Sequence, residues 1–326
     1  PAEPYFMHQF PIDYKTKLNP GLAAVVGEYV YSASYDPGET WSSRDITRTT
    51  PLVENISNLF VAAAGPAASL EIAASGNAFN ARNVQVFVNN NQVLNQSMNF
   101  FGAGTYNASF PNSMIGTALD TIRVVNGTLS NTDRMVVARM ALTYPRLFNF
   151  GGASRFAFSL PASGIGNYLE ISNFNAGSGT PVLYDLSNNR RYSADMGVPG
   201  LLRFALPASG SRNFVLLSTD PGVIQSVNGF QVRNFTDFSQ PANQGDYLII
   251  SNSRLFNGPN GNPVENYRIF RSSSSGGGYN AKVYDIEQLV DQFAFGIKMH
   301  PLSVKNFLRF ARARFALAPK FVFLIG

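Results

Sequence analysis

The 326-residue chain contains no cysteine, two histidines and one tryptophan. Without a thiol, these residues encode no disulfide framework, no Cys-ligated zinc and no thiolate nucleophile. His8 and His300 lie far apart in sequence, which disfavours a His-rich metal site. Charge is scarce as well. Charged residues make up 14% and hydrophobic ones 45%, enough for cores and too little charge for a disordered or coiled-coil chain. No apolar run approaches the ~20 residues of a membrane span. The chain opens at Pro1 with neither Met nor a basic-then-apolar leader, and so reads as a processed or trimmed product.

Turn formers are abundant. With 28 Gly, 19 Pro and many Asn and Ser between short apolar runs, the sequence favours short strands over long helices. Its length suits two or three domains. The net charge of +5 does not point to nucleic acid, because the basic excess is local. Lys298, Lys305, Arg309, Arg312, Arg314 and Lys320 all follow the last acid, Asp291, and residues 1–291 are close to neutral.

Residues 1–28, punctuated by Pro1, Pro4, Pro11 and Pro20, read as an extended leader. Residues 29–148 read as a β-sandwich, jelly-roll-like, built from Glu28–Ser34, Asn58–Ala62, Ser69–Ala73, Asn83–Val88, Thr121–Val125 and Arg134–Tyr144. Leu70/Ile72 and Val84/Val86/Val88 alternate with polar or small residues, as in strands with one wet face. Asn89–Asn91 and Asn126-Gly127 tolerate positive φ and predict reversals, and Pro145 predicts a strand end. Residues 149–240 read as a second, smaller β domain. It contains an echo, Phe158–Gly164 and Phe204–Gly210, each a strand and proline turn leading into another strand. A solenoid needs three or more such units, so the echo is read as two similar hairpin corners.

From residue 244 the pattern changes. Tyr247–Ser251 and Phe321–Ile325 are continuous apolar runs, the mark of parallel strands buried on both faces. Asn262 and Pro263 predict a helix start, with the helix ending in Ser272–Gly278 as a flexible exit. Strand Ala281–Tyr284 follows, then a helix over Ile286–Phe293 with Asp285 and Gln288 as a capping box. A last helix from Pro301 places Val304, Phe307, Leu308, Ala311 and Phe315 on one face. The fold class is therefore multidomain: two mainly antiparallel β domains followed by a βαβαβ parallel sheet over 244–326. Open α/β sheets carry reactive groups beyond the carboxyl ends of their strands, so this subdomain reads as truncated before its active-site loop.

Asp246–Ile250, Ala281–Glu287, Phe293–Lys298, Pro301–Leu308 and Phe321–Gly326 resemble, in order and spacing, the start of the catalytic domain of gingipain-type cysteine peptidases. This caspase-like family includes the PorU-type sortase of the type IX secretion system. Val136 to Arg146 and Pro181–Leu186 are similar to the family's non-catalytic amino-terminal region. The resemblance implies a parent peptidase acting on polypeptides at the secreted or outer surface of a Gram-negative bacterium, with secretion-system or surface-polysaccharide partners. The catalytic His and Cys would come after Gly326, so no residue here is assigned a catalytic, cofactor or metal role. His300 stands where the family commonly has Asp before a Pro, and reads as a helix cap or a solvent-facing side chain.

The other candidates have plainer readings. Lys305, Arg309 and Arg312 form a cationic stripe, read as the solvated back of a helix, with docking to acidic polysaccharide or an acidic domain as the functional alternative. Ser272–Gly278 lacks the Lys-Ser/Thr of a phosphate loop. The Asn-X-Ser/Thr matches at Asn55, Asn95, Asn107, Asn126 and Asn234 are expected by chance in so Asn-rich a chain. Trp41 reads as a sandwich-edge aromatic in preference to a sugar platform. Three functions stay open: the non-catalytic part of a gingipain-like peptidase, an assembly scaffold with a degenerate peptidase domain, and a carbohydrate-binding sandwich.

Overall fold

The structure, a computed structural model, describes residues 1–14, 17–18, 22–25, 28–31, 41–300 and 302–326. The chain divides into two compact units, Pro1–Ser226 and Val227–Gly326.

The first part of unit 1 comprises β1 (Phe6–Asp13), β2 (Lys17–Leu18), β3 (Leu22–Val25), β4 (Glu28–Tyr31), β5 (Trp41–Ser42), β6 (Leu52–Ile56), β7 (Ala68–Gly76), β8 (Ala81–Val88), β9 (Asn91–Asn99), β10 (Ala103–Phe110), β11 (Asp120–Asn126) and β12 (Met135–Arg146). Eight of these form two four-stranded sheets, β1-β12-β7-β10 and β6-β11-β8-β9. Counted within the eight, the order is first-eighth-third-sixth against second-seventh-fourth-fifth, the jelly-roll arrangement. Val84, Val86 and Val88 of β8 meet Leu70 and Ile72 of β7 and Met140 and Leu142 of β12 in one buried core. Period-2 alternation puts these side chains inward and their neighbours outward. Asn89 and Asn90, at φ of 44° and 68°, close the expected β8–β9 hairpin.

Four expectations are corrected. Phe6–Asp13 is not a free leader: it pairs antiparallel with β12 along its whole length, and Pro11 is tolerated because β1 is an edge strand. Part of the rest of the supposed leader, and Ser32–Ser34 of the Glu28–Ser34 strand, lie outside the described residues. Asn58–Ala62 is no strand. Asn58 and Phe60 have φ of 59° and 48°, and the Asn58 and Leu59 carbonyls accept from the buried Arg146 guanidinium at 3.0 and 3.2 Å. Asn126-Gly127 makes no reversal, because the N–H and C=O of Gly127 both bond to Asn83 and extend the pairing of β11 with β8. β12 runs through Pro145 to Arg146, where β7 no longer pairs with it and its partners are β1 and an isolated bridge from Val61 to Arg146. Sequence reading passed over β6, β9 and β10, the last two because they carry few apolar residues.

The rest of unit 1 is a second β layer pair: β13 (Arg155–Leu160), β14 (Asn167–Ser172), β15 (Val182–Asp185), β16 (Arg190–Ser193), β17 (Leu201–Leu206) and β18 (Arg212–Leu217). The sheets are β13-β18-β15-β16 and β14-β17. The internal echo has a structural meaning that differs from two self-paired hairpins. Each copy crosses from one sheet to the other, and the copies pair with each other, β13 with β18 and β14 with β17. Ser163 and Ser209 bond reciprocally at 2.9 Å between the two proline corners. Partner exchange lets Phe158, Leu160, Phe204 and Leu206 share one core, which Phe6 of β1 also enters. Gly166 makes the corner possible. At φ of 87°, a Cβ there would stand 2.2 Å from the Leu206 carbonyl oxygen. Gly166→Ala is expected to lower unfolding free energy by about 1–3 kcal/mol in urea denaturation, from strain plus the clash; an unchanged midpoint would contradict this.

Unit 2 contains β19 (Tyr247–Ser251), α1 (Pro263–Ser272), β20 (Ala281–Asp285), α2 (Ile286–Phe293), α3 (Leu302–Arg314) and β21 (Phe321–Ile325). The strands are parallel in the order β20-β19-β21. The Asn262 side chain accepts from the N–H groups of Val264 and Glu265 at 3.1 and 3.0 Å, the cap its sequence predicts. Asp285 caps α2 through the Glu287 N–H at 3.0 Å, but Gln288 does not close a capping box and donates to the Asn234 carbonyl. The segment after α1 is a series of hydrogen-bonded turns and not a loose exit: Gly276 and Gly278 both donate to Ser273, and Tyr279 donates to Arg271. The start of α3 at Pro301 lies outside the described residues; Phe307, Ala311 and Phe315 are buried, whereas Val304 and Leu308 are only half-buried. β19 is fully buried, as its continuous apolar run predicts. β21 is not: Phe321 is 46% and Leu324 61% exposed, whereas β20, the other edge strand of this sheet among the described residues, buries Ala281 and Tyr284, so the difference lies in what covers the strand faces.

Candidate functional site

In unit 2 the chain passes from β19 to β20 on one side and then to β21 on the other. This reversal of direction makes the carboxyl end of β19 a topological switch point, where open parallel sheets hold their ligands. Ser251 ends β19 with a buried hydroxyl that has no hydrogen-bond partner among the described residues. Asn252 follows and accepts from the Arg254 N–H at 2.9 Å, turning the chain away from the sheet.

A cleft of about 480 Å³ lies beside this edge, lined among others by Asn252, Arg254, Glu287, Lys298, His300 and Ser303. The groups come from four places: the turn after β19, the first turn of α2, the segment between α2 and α3, and the first turn of α3. His300 is held by its role as a cap. Its Nδ1 accepts from the Leu302 N–H at 3.2 Å, so the neutral ring carries its proton on Nε2. This matches the capping reading of His300. Two cations and one carboxylate give the cleft a positive balance suited to a polar or acidic group. Arg254 and Glu287 have no sequence signal beyond position just after a strand end and at a helix start, and Lys298 is marked by sequence only as part of the carboxy-terminal basic excess.

The other candidates are placed elsewhere. His8 belongs to unit 1, where its ring lies 5.7 Å from Tyr144 and 5.3 Å from Phe156. Burial, and next the charge of Arg146, lower its pKa from 6.5 to about 4, so it is neutral at physiological pH. Arg309 and Arg312 are exposed on α3 and Lys305 is half-buried, in keeping with the solvated-back reading of the stripe. Trp41 lies half-buried in β5, paired with β2 at the sandwich margin. Among the described residues, no three of His, Asp and Glu converge as a metal-holding group, and no helix is long and apolar enough to cross a membrane.

Residues 240–326 match the family model described as peptidase family C25. No curated protein sequence matches the chain. Among solved structures, dimeric latent PorU from Porphyromonas gingivalis is similar over 99% of this chain, with a TM-score of 0.51 and 11% identity. The chain spans 30% of that chain's length. The likeness supports the multidomain layout of antiparallel sheets followed by a small parallel sheet with helices. The CBM36-1 domain of a multidomain xylanase from the hindgut metagenome of Trinervitermes trinervoides reaches a TM-score of 0.25 at 10% identity, over 32% of this chain and 86% of that one. A score that low carries no weight for fold or function.

Proposed function

We propose, from the match of residues 240–326 to peptidase family C25, that this chain is the non-catalytic amino-terminal region of a gingipain-like cysteine peptidase. The parent acts on polypeptides at the secreted or outer surface of a Gram-negative bacterium, with sortase-like processing of secreted proteins as its narrower role. On this reading residues 29–148 and 149–240 are the accessory β domains, and 244–326 opens the caspase-like domain. Secretion-system components or surface polysaccharide are its further partners.

The observation that supports this most is where the match falls. It covers the βαβαβ unit whose switch point at Ser251 is the edge such sheets use for chemistry. The nucleophile must be supplied from outside the chain, which has no cysteine. The chain assayed on a peptide panel is therefore expected to show no turnover that a thiol reagent blocks. The product of the same gene read past Gly326, with a His and a Cys within about 150 residues, is expected to cleave peptides until treated with iodoacetamide. Thiol-sensitive turnover by the chain alone would overturn the reading. A longer, folded product inert on peptides and on protein carboxy-terminal signals would favour the assembly scaffold.

A further inference from the structure

We propose that the jelly-roll sandwich carries a binding site for a neutral oligosaccharide at the edge marked by Phe79 and Phe100. This inference is independent of the peptidase reading and rests on side chains of unit 1 alone.

The site is built from a buried ion pair outward. Arg82 and Asp133 have fully buried side chains and meet through two bonds of 2.7 Å. The guanidinium also donates to the carbonyls of Phe100 at 2.6 Å, Asn80 at 2.8 Å and Ala78 at 3.1 Å. One charged group thus pins the backbone on both sides of Phe79 and the carbonyl of Phe100 itself, and the Phe100 N–H bonds to the Asn80 carbonyl at 3.1 Å. The rings nevertheless face solvent: Phe79 is 45% and Phe100 53% exposed. Phe79 is braced edge-on by Phe101, with centroids 4.9 Å apart. Phe100 sits at φ of 48°, a left-handed conformation unusual for a bulky residue. An exposed ring on a fixed, strained backbone is a preformed contact surface, since little side-chain or loop freedom is left to lose on binding.

Adjoining the rings in sequence through Asn80 and Asn99 lies a cleft of about 400 Å³ lined among others by Asn83, Ser97, Thr128, Ser130 and the exposed Leu129. Amides and hydroxyls supply its polar groups, Leu129 adds an apolar one, and its one charged lining residue, Arg82, is neutralised by Asp133 and shielded from solvent. The side-chain amides of Asn83 and Asn99 make no hydrogen bond among the described residues and keep donors and acceptors available. No lining residue offers an ionic ligand an exposed counter-charge, the nearby Arg48 guanidinium being engaged by the Leu129 carbonyl and the Asn131 side chain, and an apolar ligand would strand these amides. A pyranose chain suits both parts, with C–H faces on the phenyl rings and hydroxyls on the amides.

The test is affinity electrophoresis of the whole chain through gels containing arabinoxylan, β-glucan, galactomannan or dextran, with polygalacturonate as the acidic contrast. At least one neutral polysaccharide is expected to retard the protein. Phe79→Ala, Phe100→Ala and Asn83→Ala are each expected to weaken that retardation by about 3- to 10-fold. Phe79→Ala guards against a loop disturbance in Phe100→Ala, and Phe230→Ala in unit 2 serves as an unaffected control. Retardation by no neutral polysaccharide, by polygalacturonate only, or in all three variants to the same extent as in the parent chain would overturn the proposal.

Discussion

Arg82→Met is expected to destabilise unit 1 by about 3–5 kcal/mol, the scale for breaking a buried ion pair by removing one partner. The loss follows from what is left behind. Asp133, with a fully buried side chain, would keep the Asn126 amide at 2.9 Å but lose the guanidinium, and the carbonyls of Ala78, Asn80 and Phe100 would lose their shared donor. Asp133→Asn is expected to cost less, because the amide oxygen still accepts one guanidinium bond and Arg82 keeps the carbonyls of Ala78, Asn80 and Phe100, although the counter-charge and one bond are lost. The check is equilibrium urea unfolding of both variants. Because buried pairs couple, the double variant should fall well short of the sum of the two single losses. Additive losses, or an Arg82→Met midpoint close to that of the parent chain, would mean that the pair is not the strut described.

The second large effect is one of pH. His8 projects from β1 among Phe6, Tyr144 and Phe156, with Arg146 nearby. The Arg146 guanidinium is satisfied by the carbonyls of Asn58, Leu59 and Asn149 and by the Tyr144 hydroxyl, all neutral oxygens, so its charge opposes a second cation. The folded imidazole therefore protonates near pH 4, whereas the unfolded one does so near 6.5. The unfolded state binds the proton first. Stability linked to neutral His8 is complete above pH 6.5 and falls as pH drops toward 4, by about 3 kcal/mol over that window. Carboxylates titrate at the lower end of the same range, so the measurement is a comparison. His8→Phe should flatten the dependence of unfolding free energy between pH 6.5 and 4.5, where few carboxylates contribute. An identical slope in both proteins would show that the imidazole is already solvated.

Legibility differed by element. The helix starts were readable because a cap acts within three residues: Asn262 and Asp285 accept from N–H groups two or three positions on, and the structure places them there. The buried run of β19 was readable from composition alone. Its partner β21, of the same character, was misread as doubly buried because burial of a strand depends on what covers its faces. The cleft at the carboxyl end of β19 was only partly legible: the strand end and His300 could be named, but Arg254, Glu287 and Lys298 converge on it from positions up to 44 residues apart. The Phe79–Phe100 edge gave no signal, since its strut joins residues 51 positions apart.

The sequence by itself determined the class of the molecule: short alternating strands, then a parallel α/β segment, with thiol chemistry absent from its own residues. These properties rest on composition, on periods of 2 and 3.6, and on caps, all of which act over a few residues. Tertiary structure alone decided the jelly-roll order, the exchange of partners between the two proline corners, the conversion of Asn58–Ala62 from apparent strand to a set of acceptors for Arg146, and the burial of Arg82 against Asp133. The physical reason is that strand pairing and ion-pair burial are selected by the summed contacts of segments distant in sequence, and local preference is nearly the same for each alternative partner.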